Sequence, residues 1–188
     1  MAFIKLNNES LPGIVGLLDY RPETAKTLSE LAETLLRGPS TLTSGERELI
    51  AASVSNWNEC HFCYSSHGAS AAAHMNLPID LLDDIKNGLL ATRLSPKLEQ
   101  LLNIAHLVQV SGRNVTREDL DRARNSGATD QEIHDTVLIA AAFCMYNRYV
   151  DGLGTWAPEE KEAYIDMGKK LAFEGYVTKS IPIRKINE

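Results

Sequence analysis

The spacing of apolar residues limits the possible folds of this chain more than any other feature. Apolar side chains recur every three or four residues through almost the whole chain, and strand-like alternation of apolar and polar residues is scarce. Between Pro22 and Gly38, for example, the apolar positions are Leu28, Leu31, Leu35 and Leu36. This spacing places apolar side chains on one face of an α-helix. The pattern predicts an all-α fold, a bundle of about seven helices.

Two four-residue segments carry the signature of a helix start. Thr43-Ser-Gly-Glu46 and Thr129-Asp-Gln-Glu132 both match a capping box, in which a hydroxyl and a carboxylate bind backbone amides at the helix N-terminus. Each precedes an alanine-containing helix, which leaves open an internal two-fold repeat or a chance match. The second helix, Ile133–Tyr149, is the most apolar, and we expect it at the centre of the bundle, near a helix that begins at Cys60.

Length and charge exclude several classes of protein. The 188 residues suit one domain, residues 1–188, and the net charge of −6 without a basic block argues against nucleic-acid or anionic-membrane binding. The longest apolar run, Val137–Met145, is far shorter than the roughly 20 residues that cross a membrane. The first nine residues lack the features of a secretion signal, so we expect a cytoplasmic protein.

The residues with the most reactive side chains lie in one stretch. Cys60 and Cys63 are separated by two residues, and His67 follows after three more. On a helix these three positions share one face, and cysteines three residues apart lie within disulfide range. Because the expected cytoplasm is reducing, such a pair indicates redox activity or metal binding rather than a structural disulfide.

The chemistry expected of this face is attack on a peroxide. A helix start favours a thiolate, and His67 can accept the thiol proton while Glu48 on the preceding helix orients the imidazole. A thiolate that attacks a peroxide oxygen becomes a sulfenic acid, which the second cysteine converts to a disulfide. An external thiol then reduces that disulfide. This cycle needs no cofactor other than the cysteine pair itself.

Two other functions remain open at this point. The same cysteine pair suits a non-enzymatic redox sensor or thiol-exchange protein. It also suits a zinc-stabilised scaffold, in which Cys60, Cys63 and His67 supply three ligands and the fourth comes from Glu48, His61 or His74.

Several other residues of reactive type are expected to have structural roles. We expect His74, His106 and His134 to be structural and Cys144 to be a buried small apolar residue. The polar and aromatic residues from Tyr146 to Asp151 either line the pocket of the cysteine helix or pack at a helix end.

The stretch resembles the alkyl hydroperoxidase D and carboxymuconolactone decarboxylase superfamily, and within it the group of peroxidase-related enzymes. The peroxidase branch has a glutamate, eleven residues, a cysteine, two residues, a cysteine, three residues and a histidine. Glu48, Cys60, Cys63 and His67 match all four positions. The resemblance implies an all-helical fold, a peroxidase acting on hydrogen peroxide or small organic hydroperoxides, and a thiol or dithiol reductant protein as partner.

The resemblance also implies a role for each matched residue. Cys63 is then the cysteine that attacks the peroxide, Cys60 is its disulfide partner, and Glu48 and His67 relay protons. The helix dipole alone favours Cys60, which is nearer the helix start, as the more acidic thiol. Some peroxidase members have a histidine where this chain has Phe62. The decarboxylase branch generally lacks the cysteine pair, so lactone decarboxylation is not expected.

The resemblance further implies a homo-oligomer, a dimer, trimer or hexamer. The C-terminal tail, residues 174–188, includes Ser180-Ile-Pro-Ile-Arg184 and is predicted to be an extended segment. We expect this tail to contact a neighbouring subunit.

Overall fold

The fold consists of packed α-helices. A computed structural model of the chain describes residues 2–89 and 94–177, and within these ranges it contains nine α-helices and no strand. The all-α prediction is therefore confirmed. The helices are α1 (Gly13–Tyr20), α2 (Pro22–Arg37), α3 (Ser44–Trp57), α4 (His61–Met75), α5 (Leu81–Lys86), α6 (Pro96–Val110), α7 (Arg117–Asn125), α8 (Asp130–Gly152) and α9 (Ile165–Glu174).

Both predicted capping boxes are present. The Thr43 hydroxyl accepts the Glu46 amide at 3.2 Å, and the Glu46 carboxylate accepts the Thr43 amide at 2.8 Å. Thr129 and Glu132 form the same pair at the start of α8, with distances of 3.2 Å and 2.8 Å. These contacts fix where α3 and α8 begin.

The helix at the centre of the bundle is α3, not α8 as the sequence suggested. Every residue from Arg47 to Ser55 is buried, and α3 contacts α2, α4, α5, α6 and α8. In contrast, α8 exposes Leu138 and Met145. The physical reason is side-chain size, because the small residues in the middle of α3 let neighbouring helices approach on all sides. The apolar content of a helix does not by itself show how completely other helices surround it.

The turn between α3 and α4 places the cysteine pair at a helix start. Glu59 has a left-handed backbone, with φ of 61°. The next amide, of Cys60, donates to the Ser55 carbonyl at 3.0 Å, and the Cys60 carbonyl accepts the Tyr64 amide at 3.0 Å. Cys60 is thus the N-cap residue of α4, and Cys63 lies in the first turn of that helix, as the sequence predicted.

Two helices differ from the sequence prediction. Helix α1 was not predicted, because it has only eight residues and contains two glycines. The proline at position 158 predicts a last helix from Pro158 to about Phe173, but that helix begins at Ile165, after a 3₁₀ turn at Lys161–Tyr164. The Pro158 carbonyl is bound by the Tyr164 hydroxyl at 2.9 Å, so this carbonyl is used in a tertiary contact rather than in a helix.

The segment after α9 turns back onto its own chain. Gly175 follows the helix with φ of 76°, and the Tyr176 amide donates to the Glu33 carboxylate of α2 at 2.6 Å. Residues 178–188, which make up most of the tail expected to contact a subunit, lie outside the described residues. Within the described ranges, no helix has the length and apolar character needed to cross a membrane.

Candidate functional site

The core of the site is a hydrogen bond between Glu48 of α3 and His67 of α4. Glu48 Oε2 lies 2.7 Å from His67 Nδ1, and the Glu48 side chain is fully buried. Each residue is placed by its own helix, and the two helices pack along their lengths. The predicted pairing of these residues across the break between α3 and α4 is therefore present in the structure.

Arg37, the last residue of α2, is the second charged partner of Glu48. Its Nη2 donates to Glu48 Oε1 at 2.5 Å and to the Leu171 carbonyl of α9 at 2.8 Å. The same nitrogen lies 3.3 Å from the Ser70 hydroxyl of α4. Arg37 thus compensates the buried carboxylate and connects α2 with α3, α4 and α9.

The electrostatic surroundings keep Glu48 ionised. Burial alone would raise the pKa of its carboxyl, but the charge and hydrogen bond of His67 and the Arg37 guanidinium lower it to about 2. A carboxylate that stays charged at all ordinary pH values can hold a neighbouring imidazole in one orientation and stabilise its protonated form.

Two aromatic rings enclose the imidazole of His67. Phe143 of α8 meets it edge-on, with ring centroids 4.5 Å apart. Tyr176 stacks on it nearly in parallel, with a centroid distance of 5.8 Å and an interplanar angle of 14°. The sequence-based expectation that the cysteine helix lies near α8 is met through this Phe143 contact.

Tyr176 also contacts the charged groups of the site. Its hydroxyl lies 2.6 Å from Glu48 Oε1 and 3.2 Å from His67 Nδ1. The Arg37 guanidinium carbon lies 5.1 Å from the centre of the Tyr176 ring. Burial and the nearby Glu48 charge raise the pKa of the phenol well above its ordinary value. The hydroxyl therefore stays protonated and donates a hydrogen bond to the carboxylate.

The two cysteines of α4 are free thiols and are buried. A hydrogen bond with Cys63, together with burial, raises the pKa of the Cys60 thiol far above its ordinary value. The Cys60 thiol is also within hydrogen-bonding reach of the Asp151 carboxylate at the end of α8, where burial raises the pKa of Asp151. Burial and this contact therefore act against the helix dipole, which alone favours an acidic Cys60 thiol.

A small cavity of about 70 Å³ opens onto Cys63 and His67. Its walls are mostly apolar side chains from α1, α2, α4 and α8, and Cys60 is not among the described residues that line it. The lining residues are Ile14, Leu18, Leu28, Ser29, Ala32, Phe62, Cys63, His67, Phe143, Tyr146 and Tyr176. A reactant in this cavity meets Cys63 and the imidazole together.

The geometry does not support a zinc site. Among the described residues, no three His, Cys, Asp or Glu side chains are grouped so that they could hold a metal ion. His67 Nδ1 is bound to Glu48, and His61 Nε2 lies 2.9 Å from the Pro158 carbonyl. His74, a further candidate ligand, packs against the ring of Phe173 at a centroid distance of 6.2 Å.

Comparison with known sequences agrees with this geometry. The sequence profile of the carboxymuconolactone decarboxylase family matches residues 22–78, a segment that includes the glutamate, both cysteines and the histidine of the site. A comparison with curated protein sequences gives no significant match.

Solved structures with the same fold extend the likeness to most of the chain. An uncharacterized peroxidase-related protein from Ralstonia eutropha JMP134, with an alkylhydroperoxidase AhpD core, has a TM-score of 0.74 and 26% identity, over 85% of this chain and 82% of that chain. Residues 22–78 thus resemble the carboxymuconolactone decarboxylase family, and the fold is similar to that of an alkylhydroperoxidase AhpD core.

Two further solved structures have a similar fold at lower identity. An uncharacterized peroxidase-related protein from Silicibacter sp. TM1040 has a TM-score of 0.73 and 23% identity, over 82% of this chain and 80% of that chain. A protein of unknown function from Agrobacterium tumefaciens has a TM-score of 0.66 and 19% identity, over 79% of this chain and 99% of that chain. Both show the fold alone.

The four motif residues lie close together in the structure: Glu48, Cys60, Cys63 and His67. Several other residues that the sequence singled out lie around them. Tyr146 lines the cavity and Asp151 reaches Cys60, which favours the pocket-lining interpretation of that cluster. Cys144 is half-buried next to the Asn58 amide at 3.5 Å, less enclosed than expected. His106 packs on the ring of Trp57, with a centroid distance of 4.6 Å.

Sequence analysis missed two members of the site, Arg37 and Tyr176. Arg37 ends α2 one residue before Gly38, where a basic residue is ordinary because it complements the helix dipole. Tyr176 is 128 residues from Glu48 along the chain. No local spacing connects either residue with the cysteine motif. The one available signal for Arg37 was the need of a buried glutamate for a cationic partner.

Proposed function

We propose that this protein is a thiol-dependent peroxidase that reduces hydrogen peroxide or a small organic hydroperoxide. The observation that carries the proposal is that Cys63 and His67 line one cavity, with His67 bound to an ionised Glu48. The similarity to a peroxidase-related protein with an AhpD core supports an enzyme of this broad class.

The hydrogen bonds around His67 support a role as the base. Because Glu48 only accepts hydrogen bonds, the short contact at Oε2 assigns the ring proton to Nδ1. His67 Nε2 then carries the free lone pair and serves as the base. It takes the proton of the Cys63 thiol, and the Glu48 charge stabilises the resulting imidazolium.

The first chemical step oxidises Cys63. Its thiolate attacks one oxygen of the peroxide, an S–O bond forms, and the O–O bond breaks. The departing alkoxide or hydroxide takes a proton from the His67 imidazolium and leaves as an alcohol or water. Cys63 becomes a sulfenic acid, which is two electrons more oxidised than the thiol.

The second step uses Cys60. Its thiol loses a proton to the nearby Asp151 carboxylate or to solvent, and its sulfur attacks the Cys63 sulfur. An S–S bond forms while the S–O bond breaks, and the hydroxide leaves as water after protonation. The high pKa of Cys60 suits this order, because Cys60 stays a thiol until the sulfenic acid has formed.

An external dithiol completes the cycle. It transfers two electrons and two protons to the Cys60–Cys63 disulfide by thiol–disulfide exchange and becomes a disulfide itself. The cavity beside Cys63, about 70 Å³ and mostly apolar, suits hydrogen peroxide or a short-chain alkyl hydroperoxide.

The test is a peroxide-consumption assay with a panel of reductants: dithiothreitol, a lipoamide-type dithiol and thioredoxin. The proposal predicts catalytic turnover with at least one of these dithiols and loss of turnover in Cys63→Ser. The Cys144→Ser variant is the matched control, since it removes a thiol outside the cavity and should retain turnover. Stoichiometric oxidation without turnover for every reductant would contradict the proposal and favour a redox sensor.

A further inference from the structure

The segment after α9 brings Tyr176 to the Glu48–His67 pair. Its hydroxyl lies within 2.6 Å of Glu48 Oε1 and 3.2 Å of His67 Nδ1, and its ring is stacked on the imidazole. Phe143 covers another side of the same imidazole. The ring of His67 is therefore confined by two aromatic groups, and one of them carries a hydroxyl that contacts both members of the pair.

A hydrogen bond of its own backbone also holds Tyr176 in place. Its amide donates to the Glu33 carboxylate on α2, at 2.6 Å. The preceding Gly175 has φ of 76° and ψ of −163°, a conformation essentially limited to glycine. A Cβ at Gly175 would lie 2.5 Å from a Glu33 carboxylate oxygen, so the Glu33 side chain that binds the Tyr176 amide would have to move.

We infer that Tyr176 is a positioning residue, which fixes His67 with its proton on Nδ1 and its Nε2 free for Cys63. This inference rests on the proposed function, because the orientation of His67 matters only if the imidazole acts on the thiol. The phenol donates to Glu48 Oε1, so Oε2 remains the acceptor for His67 Nδ1. The stacked ring prevents the imidazole from turning out of the plane of that hydrogen bond.

The segment after α9, which contains Tyr176, is then part of the active site. Tyr176 closes one wall of the cavity that contains Cys63, and it lies next to Arg37 on the other side. A single side chain thus lines the space for the peroxide and completes the hydrogen bonds of the buried carboxylate. A residue with only a structural role would not be expected to line the cavity and also contact both Glu48 and Arg37.

The test compares Tyr176→Phe with the wild type by two readouts. Ring ¹⁵N NMR of the reduced protein, with His67→Gln to assign the signal, reports the tautomer of His67. The wild type should show a proton on Nδ1 only, and Tyr176→Phe a mixture of tautomers. In the assay, kcat should fall about tenfold, the loss expected for one hydrogen bond to a charged group, while KM changes little.

A third readout separates positioning from a merely structural role. Because the shares of the two neutral tautomers do not depend on pH, Tyr176→Phe should lower kcat by the same factor across the pH profile, whereas a loosened site would change the shape of the profile. Tyr64→Phe is the matched control, because its buried hydroxyl donates to the Leu82 carbonyl at 3.1 Å and does not contact Glu48 or His67. This control should retain the wild-type tautomer and pH profile.

Gly175→Ala provides a second variant with Tyr176 itself intact. It should displace the Tyr176 ring and reproduce the mixed tautomer. An unchanged tautomer and kcat in both Tyr176→Phe and Gly175→Ala would overturn the inference. If the wild type consumes no peroxide, the proposed function fails, whereas the NMR comparison still decides whether Tyr176 positions His67.

Discussion

Glu48 Oε2 and His67 Nδ1 are 2.7 Å apart, although the two residues are 19 positions apart in the chain. The α3–α4 turn reverses the chain between them, so that the two helices lie side by side. His67 is one helical turn after Cys63, and both line the same cavity. This pair therefore connects a buried negative charge to the thiol that faces the cavity.

The two cysteines should have separable roles. Cys60→Ser should still react with one equivalent of peroxide and accumulate a sulfenic acid on Cys63, because the partner thiol is gone. Cys63→Ser should not react at a comparable rate, since the remaining Cys60 thiol is buried and does not line the cavity. Dimedone labelling followed by mass spectrometry measures this. Labelling of Cys60 in Cys63→Ser, at the wild-type rate, would reverse the assignment.

Replacing either member of the proton relay should slow turnover while leaving both thiols in place. His67→Gln and Glu48→Gln should each lower kcat/KM about a hundredfold, which is within the range for general acid–base catalysis. Stopped-flow oxidation of the reduced protein is the measurement.

The matched control for Glu48→Gln is Glu132→Gln. Glu132 is another buried carboxylate paired with a cation, Lys97, at 2.7 Å, but it lies at the start of α8 and does not line the cavity. Glu132→Gln should lose stability and keep its peroxide reactivity. Equal losses of reactivity in both variants would show that the effect of Glu48→Gln is only structural.

Glu48 should also make the stability of the protein depend on pH in the acid range. Its pKa is about 2 in the folded protein and about 4.5 when unfolded, so between these values the unfolded chain binds more protons. The contribution, about 3 kcal/mol, is complete above pH 4.5 and is lost as the pH falls towards 2. Urea unfolding at several pH values measures it. If the free energy of unfolding changed with pH in the same way in the wild type and in Glu48→Gln, this prediction would be contradicted.

The contact between α9 and α4 should tolerate no added methyl group. A Cβ at Gly168 would lie 2.5 Å from the Ala69 Cβ and 2.6 Å from its carbonyl carbon. Gly168→Ala should lower the free energy of unfolding by about 2 kcal/mol, because the cost of overpacking exceeds the gain in helix propensity. It should also reduce peroxidase activity, since α9 supports the Leu171 contact with Arg37.

Gly152→Ala is the control for that substitution. Gly152 is the last residue of α8, and a Cβ there would meet no atom within 4 Å. This variant should be neutral or stabilised by up to about 1 kcal/mol, as expected for glycine replaced by alanine in an exposed helix. Thermal and urea unfolding compare the two variants, and equal stabilities would show that the α9–α4 contact adapts freely.

The sequence predicted those parts of the fold and site that depend on local spacing. The capping boxes at Thr43 and Thr129 follow from hydroxyl and carboxylate residues three positions apart, and the common orientation of Cys63 and His67 towards one cavity follows from helix geometry. These features depend on neighbours in the chain, so the order of the amino acids is sufficient to predict them.

The rest depends on tertiary contacts that local spacing does not encode. Arg37 and Tyr176 reach Glu48 from α2 and from the segment after α9, and the enclosure of α3 depends on which helices surround it. At Cys60, burial and the contact with Cys63 oppose the effect of the helix start on the thiol, and neither can be predicted from local spacing. The internal repeat and the oligomer remain predictions.

The most direct test of the account is the mass of the reduced protein before and after one equivalent of hydrogen peroxide, with peptide mapping of the three cysteines. The account predicts the loss of two hydrogen atoms, a disulfide between Cys60 and Cys63, a free Cys144, and full recovery of the thiols with a dithiol. Oxygen added to Cys63 without a disulfide, or thiols that do not react, would contradict it.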